Sequence, residues 1–118
     1  MEVEDKLQKY TVERDDMPPL RFKGKELGYA RSTNDPERGN WSGSWYAWQE
    51  LTLFSTQSGK YVVERVNYEY NSQQDVFLPA REGKVLDGVH EVIEFFGHGN
   101  VAKALYEEAG IDAAVEID

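Results

Sequence analysis

Apolar and polar positions alternate through most of this chain and change to a helical period only near its end. Residues 41–70 (WSGSWYAWQELTLFSTQSGKYVVERVNYEY) hold all three tryptophans and many Tyr, Val and Thr residues, the types that favour pleated backbone. Two runs, 44–56 and 60–70, flank Gln57-Ser58-Gly59. A Gly closing a short polar break between β-rich runs signals a hairpin. With Ser58-Gly59 as a two-residue turn, Leu51 faces Val66, Phe54 faces Val63, Ala47 faces Tyr70 and Glu50 faces Asn67. One face is then largely apolar and the other polar, although Leu53 meets Glu64.

Before the hairpin, residues 1–19 read as an N-terminal arm, with an edge strand around 9–13; Pro18-Pro19 argues against helix. The stretch 20–31 reads as strand. Its apolar positions switch parity between Leu20/Phe22 and Leu27/Tyr29, as a β-bulge centred on Gly24 would produce; a tight turn at Gly24 is the competing account. Residues 32–43 are dense in turn formers and predict an exposed loop. After the hairpin, Val76-Phe77-Leu78 predicts a short strand ended by Pro79. A turn at 81–84 then leads to Val85-Leu86.

Asp87 has the chemistry of an N-cap, and Val89, Val92, Ile93 and Phe96 follow the i, i+3, i+4, i+7 spacing of a buried helical stripe. Gly97-His98-Gly99 breaks that helix. Asn100 is placed to cap a second one, in which Ala102, Leu105, Tyr106 and Ala109 repeat the spacing and Gly110 closes it. Residues 111–118 alternate again and predict a final strand, with Ile111, Ala113, Val115 and Ile117 on its buried side. The order predicts an α+β fold: a curved antiparallel β-sheet of about five to six strands. Two short C-terminal helices pack on one face of it. The domain spans 20–118, following the arm at 1–19.

Composition narrows the chemistry. With 118 residues the chain fits one domain, and with no cysteine it has no disulfide, thiol nucleophile or zinc–thiolate site. No apolar run is long enough for a membrane span and the first residues are charged, so the expected address is cytoplasmic, away from membranes. The formal net charge of −9 is unevenly placed. The final 32 residues hold eight acids (Asp87, Glu91, Glu94, Glu107, Glu108, Asp112, Glu116 and Asp118) against Lys103. Such an end disfavours direct binding of nucleic acid, which requires cations at phosphates. It serves either as a solubilising surface or as a mimic of phosphates toward a nucleic-acid-binding protein.

No constellation names a reaction. His90, Glu94 and His98 recur every four residues, but Gly97 interrupts the helix that would align them, so no metal is expected. Glu50, Glu64, Arg65 and Glu69 lie on the central hairpin, and the register above makes Glu50 and Arg65 an ordinary diagonal ion pair. No phosphate loop, nucleophile elbow or dinucleotide fingerprint occurs, and no cofactor is expected. What stands out is a surplus of aromatics on the hairpin, more than one sheet face needs. Trp41, Tyr46 and Trp48 are the contacts expected of a protein-binding surface, with packing on both faces as the competing account.

Three further features carry a family resemblance: Phe22-Lys-Gly-Lys-Glu-Leu27, the Ser-Gly-Lys-Tyr-Val-Val hairpin return, and a helix entered at Asp87 ahead of a terminal Val115-Glu-Ile-Asp118. In that order the chain resembles the EXLDI family of small bacterial proteins of unknown function, over residues 20–118. It departs from the family in closing on Glu116-Ile117-Asp118 without a Leu-Asp-Ile tail. It also lacks a longer N-terminal segment. The resemblance implies no enzyme activity and no catalytic residues. Three functions follow as expectations. The first is a non-catalytic interaction or regulatory module with a protein partner. The second is an acidic decoy for a nucleic-acid-binding protein. The third is a small-molecule binder or enzyme with a cavity between sheet and helices, lined by Tyr68, Tyr70 and Phe96. A homodimer through a sheet edge is compatible with each.

Overall fold

The computed structural model describes residues 7–32, 45–71, 74–115 and 117. Five antiparallel strands form one open sheet in sequence order: β1 (Gln8–Arg14), β2 (Met17–Arg31), β3 (Trp45–Thr56), β4 (Tyr61–Asn71) and β5 (Val76–Leu86). Two helices, α1 (Val89–Phe96) and α2 (Asn100–Ala109), follow and cover one face. This is the curved α+β architecture that the pattern predicts, with five strands.

The central hairpin is one residue out of the expected register. Leu53 faces Val63, Phe54 faces Val62, and Leu51 faces Arg65. The cause is the turn. Thr56 N–H donates to the Lys60 carbonyl at 2.8 Å, so the loop is the three residues Gln57-Ser58-Gly59, with Gly59 at φ +92°. A three-residue loop ending in a left-handed glycine is the next commonest hairpin after the two-residue form. The correction removes the Leu53–Glu64 conflict.

Alternation now sorts the side chains cleanly. Leu51, Leu53 and Val63 join Val92, Phe96, Ala102, Leu105 and Tyr106 in the main core under the helices. Phe54 and Val62 point the other way and join Val12 in a second core, with Tyr10, Leu20 and Phe22 packed against it. That second core forms because β1 and the first half of β2 roll over the sheet. β1 pairs with β2 only up to Gly24, and β3 pairs with β2 from Gly24 onward. A Cβ on Gly24 would lie 1.9 Å from the Ser55 carbonyl oxygen, so only glycine fits at that crossing. The predicted bulge is real but lies three residues on, where the register shifts between Glu26 and Gly28.

Residues 8–14, read as arm or edge strand, form β1, and Asp15-Asp16 is the hairpin turn into β2, with Asp16 at φ +59°. β5 runs unbroken through Pro79 and Gly83, where the sequence predicts a stop and a turn. Arg81, two residues from Pro79, turns its backbone outward, so the Pro79 nitrogen also faces away from β4 and removes no ladder bond. Gly83 gives room to Val12, whose Cγ1 would be 2.7 Å from a Cβ there.

The helices match their stripes, but the caps differ. Gly88 and Gly99, not Asp87 and Asn100, are the N-cap residues, and neither makes a side-chain cap bond. Gly110 closes α2 in the left-handed conformation, and the Ile111 N–H donates to the Tyr106 carbonyl at 2.9 Å. The final strand is absent among the described residues. Ile111 and Ala113 pack against the main core, while Val115 and Ile117 are 79% and 83% exposed. A strand needs a ladder partner, and the tail leaves from the helical layer rather than from either sheet edge.

Candidate functional site

The true register sends the even-numbered residues of β3 and β4 to the face opposite the helices. There Trp48 pairs with Tyr68, Tyr46 with Tyr70, and Tyr70 with Phe77. From β2, Arg31 pairs with Glu50 and Tyr29 with Thr52 on the same side. The result is a stack running across four strands. The Arg31 guanidinium lies 5.6 Å from the Trp48 ring centroid, Trp48 lies 4.9 Å from Tyr68, and Tyr68 lies 5.4 Å from Phe77. The last two ring pairs are inclined by only 15° and 21°. Tyr46 and Tyr70, 6.2 Å apart, form a second row beside it. Offset stacks of this kind contribute about 0.5–1.5 kcal/mol per pair beyond burial.

Much of this surface stays open to solvent. Phe77 is 51% exposed and Tyr29 40%. Tyr46, Trp48, Tyr68 and Tyr70 are half-buried. The Trp48 Nε1–H is itself shielded, and it has no acceptor among the described residues. An unsatisfied buried donor costs about 1–3 kcal/mol, so this indole is held by its stacking rather than by its polar atom.

Charged groups line the deeper part of the face. Arg31 pairs with Glu50 at 3.7 Å. Burial raises the Glu64 carboxyl above its usual range, opposed by Arg81 and reinforced by Glu50 and Glu26. Burial, then the Glu50 charge, raise the phenols of both Tyr29 and Tyr68. Glu50 and Glu64 are diagonal neighbours on one face, because Glu50 faces Val66 and Glu64 faces Thr52. The sequence register kept them apart and joined Glu50 to Arg65 instead. Arg65 belongs to the helix side: it donates to the Phe95 carbonyl, lies 4.4 Å from that ring and pairs with Glu82 at 2.7 Å.

Of the three aromatics expected to bind a partner, Tyr46 and Trp48 share this face. Trp41 lies outside the described residues. Arg31, Tyr68 and Phe77 complete the stack; sequence reasoning missed Arg31 and Phe77 and assigned Tyr68 to a cavity under the helices. Their signal was the alternative turn length, which fixes which side every hairpin residue faces. Tyr68 and Tyr70 do not line a cavity with Phe96. Phe96 is buried in the main core, on the other side of the sheet.

The acidic residues are dispersed over local tasks. Asp87 pairs with Lys60 at 2.7 Å, and its backbone N–H donates to the Glu91 carboxylate at 2.8 Å. Glu108 accepts the Tyr29 N–H at 2.9 Å, and Asp112 accepts the Ala114 N–H at 3.0 Å. Glu94 lies 4.0 Å from His90, both exposed, and Glu107 is exposed. Glu116 and Asp118 lie outside the described residues. Among the described residues no three acidic or imidazole groups are placed to hold a metal, and no helix is long and apolar enough to cross a membrane. No family model matches the chain, and neither a curated protein nor a solved structure resembles it significantly.

Proposed function

We propose that this chain is a small non-catalytic interaction module whose protein partner docks on the aromatic face of the sheet. One observation carries the reading: the stack Arg31–Trp48–Tyr68–Phe77 lies on the sheet face opposite the helices and ends in a half-exposed Phe77. Aromatic side chains with arginine beside them are the residues that dominate protein–protein binding energy. The Arg31–Glu50 pair beside the stack adds the polar contacts that such surfaces carry.

The test compares two exposed substitutions, one on each face. Phe77→Ser should abolish capture of the native partner while leaving the fold intact, because the side chain is half in solvent. Ala104→Ser, on the exposed side of α2, should leave capture unchanged. Equal capture by both variants and by the native chain would refute the reading.

A further inference from the structure

A second surface lies on the outer side of the β1–β2 ribbon, away from the aromatic stack. Tyr10, Val12, Leu20 and Phe22 turn inward to the second core, so Lys9, Thr11, Arg21 and Lys23 turn outward. Lys9 faces Lys23 directly across the ribbon, and Thr11 faces Arg21. Together with Tyr10 and Phe22 these residues bound a shallow cavity of about 350 Å³. Like charges directly opposite one another destabilise a strand pair. None of the three cations has an ion pair among the described residues, in a chain whose net charge is −9.

We infer that this cradle binds a phosphate group, the phosphomonoester of a small ligand. Three cations and a hydroxyl share one face of the ribbon, on the Lys9–Lys23 and Thr11–Arg21 rungs about 7 Å apart. A dianion between Lys9 and Lys23 turns their repulsion into two attractions. Arg21 presents the fork that matches phosphate oxygens, and the Thr11 hydroxyl donates a further bond. A long polyanion running toward the hairpin turn meets acids. Glu13, Asp15 and Asp16 lie toward the turn, while Lys25 follows Lys23 in the other direction. A single phosphate needs only the Lys9–Lys23 rung with Arg21 beside it, and the oligonucleotide arm of the experiment separates it from a polyanion.

The experiment is thermal denaturation of the full chain in inorganic phosphate against sodium chloride of equal ionic strength. Amide NMR shifts locate the site, and a single-stranded oligonucleotide at equal phosphate concentration is the competing arm. Native protein should gain roughly 4–7 °C at tenfold over half-saturation, with shifts confined to residues 9–11 and 21–23. Lys23→Gln should melt roughly 1–3 °C higher than native without phosphate, and phosphate should bind it about two- to fivefold more weakly. Lys9→Gln should behave alike. The inference fails if phosphate gives no gain, if both variants respond like the native chain, or if the oligonucleotide binds more tightly than phosphate. Partner capture through Phe77 is a separate readout on a separate surface, so either result stands without the other.

Discussion

Asp15 holds both outward backbone groups of Arg81. Its N–H donates to the Arg81 carbonyl at 3.1 Å, and its carboxylate accepts the Arg81 N–H at 2.9 Å. The turn of the first hairpin is thereby tied to the last strand, and the two edges of an otherwise open sheet are pinned at one point. Exposed edges invite pairing with other chains, and this clasp with Pro79 beside it blunts the β5 edge. Asp15→Ala should cost about 1 kcal/mol, a fall in Tm of several degrees. The Arg81 amide should exchange with solvent faster in the variant. Unchanged exchange at that amide would show that the clasp is not formed in solution.

Arg65 fastens α1 to the sheet through the Phe95 carbonyl, the Phe95 ring and Glu82. A cation at the last turn of a helix also faces its negative end. Lysine cannot stack and make both bonds together, so Arg65→Lys should destabilise by about 1–2 kcal/mol. Glu82→Gln should cost under about 1 kcal/mol, since Glu82 is 57% exposed. Urea denaturation of the two variants gives the comparison, and equal losses would contradict this account of the helix anchor.

Much of the fold is legible in the sequence, and the misses share a cause. Both helices follow from uninterrupted 3.6-residue stripes bounded by glycine. The hairpin was legible, but its register was not, because Gln57-Ser58-Gly59 contains both a two-residue and a three-residue turn. The choice between them decides whether Glu50 lies near Arg65 or near Arg31 and Glu64, so the site was misread with it. Pro79 and Gly83 look like breakers, since sequence does not say which side of β5 faces solvent or where Val12 comes to rest. Residues 111–117 alternate like a strand, yet alternation alone supplies no neighbouring edge.

Glu64 makes stability depend on pH in a definite direction. Its carboxyl is raised above the ordinary 4.5 by burial in the deeper part of the aromatic face. The native state therefore holds this proton more tightly than the unfolded chain, and stability falls as pH rises from below 4.5 through the native value. Glu64→Gln removes that dependence. The variant should be more stable than native protein at pH 7, with the advantage disappearing well below pH 4.5. Denaturation midpoints at the two pH values test it; an advantage of equal size at both would contradict the assignment.

Two glycines should respond oppositely to substitution. A Cβ on Gly83 meets Val12 at 2.7 Å, so Gly83→Ala should cost about 1–3 kcal/mol. Gly88 has an extended backbone, φ −147° and ψ 167°, with nothing within 4 Å of a built Cβ. As the N-cap of α1 it lacks a side-chain acceptor, and Gly88→Ser should stabilise by a few tenths of a kcal/mol. Calorimetric melting of both variants decides between this packing account and one in which both glycines are merely loop residues.

The central claim is that the aromatic face, and not the helical one, meets the partner. A photo-crosslinking residue placed at position 77, and separately at position 104 on the exposed side of α2, tests it in the native host. The account predicts one adduct, formed from position 77 and absent from position 104, that is lost when Tyr46→Ser is added to the first variant. The same adduct from position 104, or one from position 77 that survives Tyr46→Ser, would contradict it.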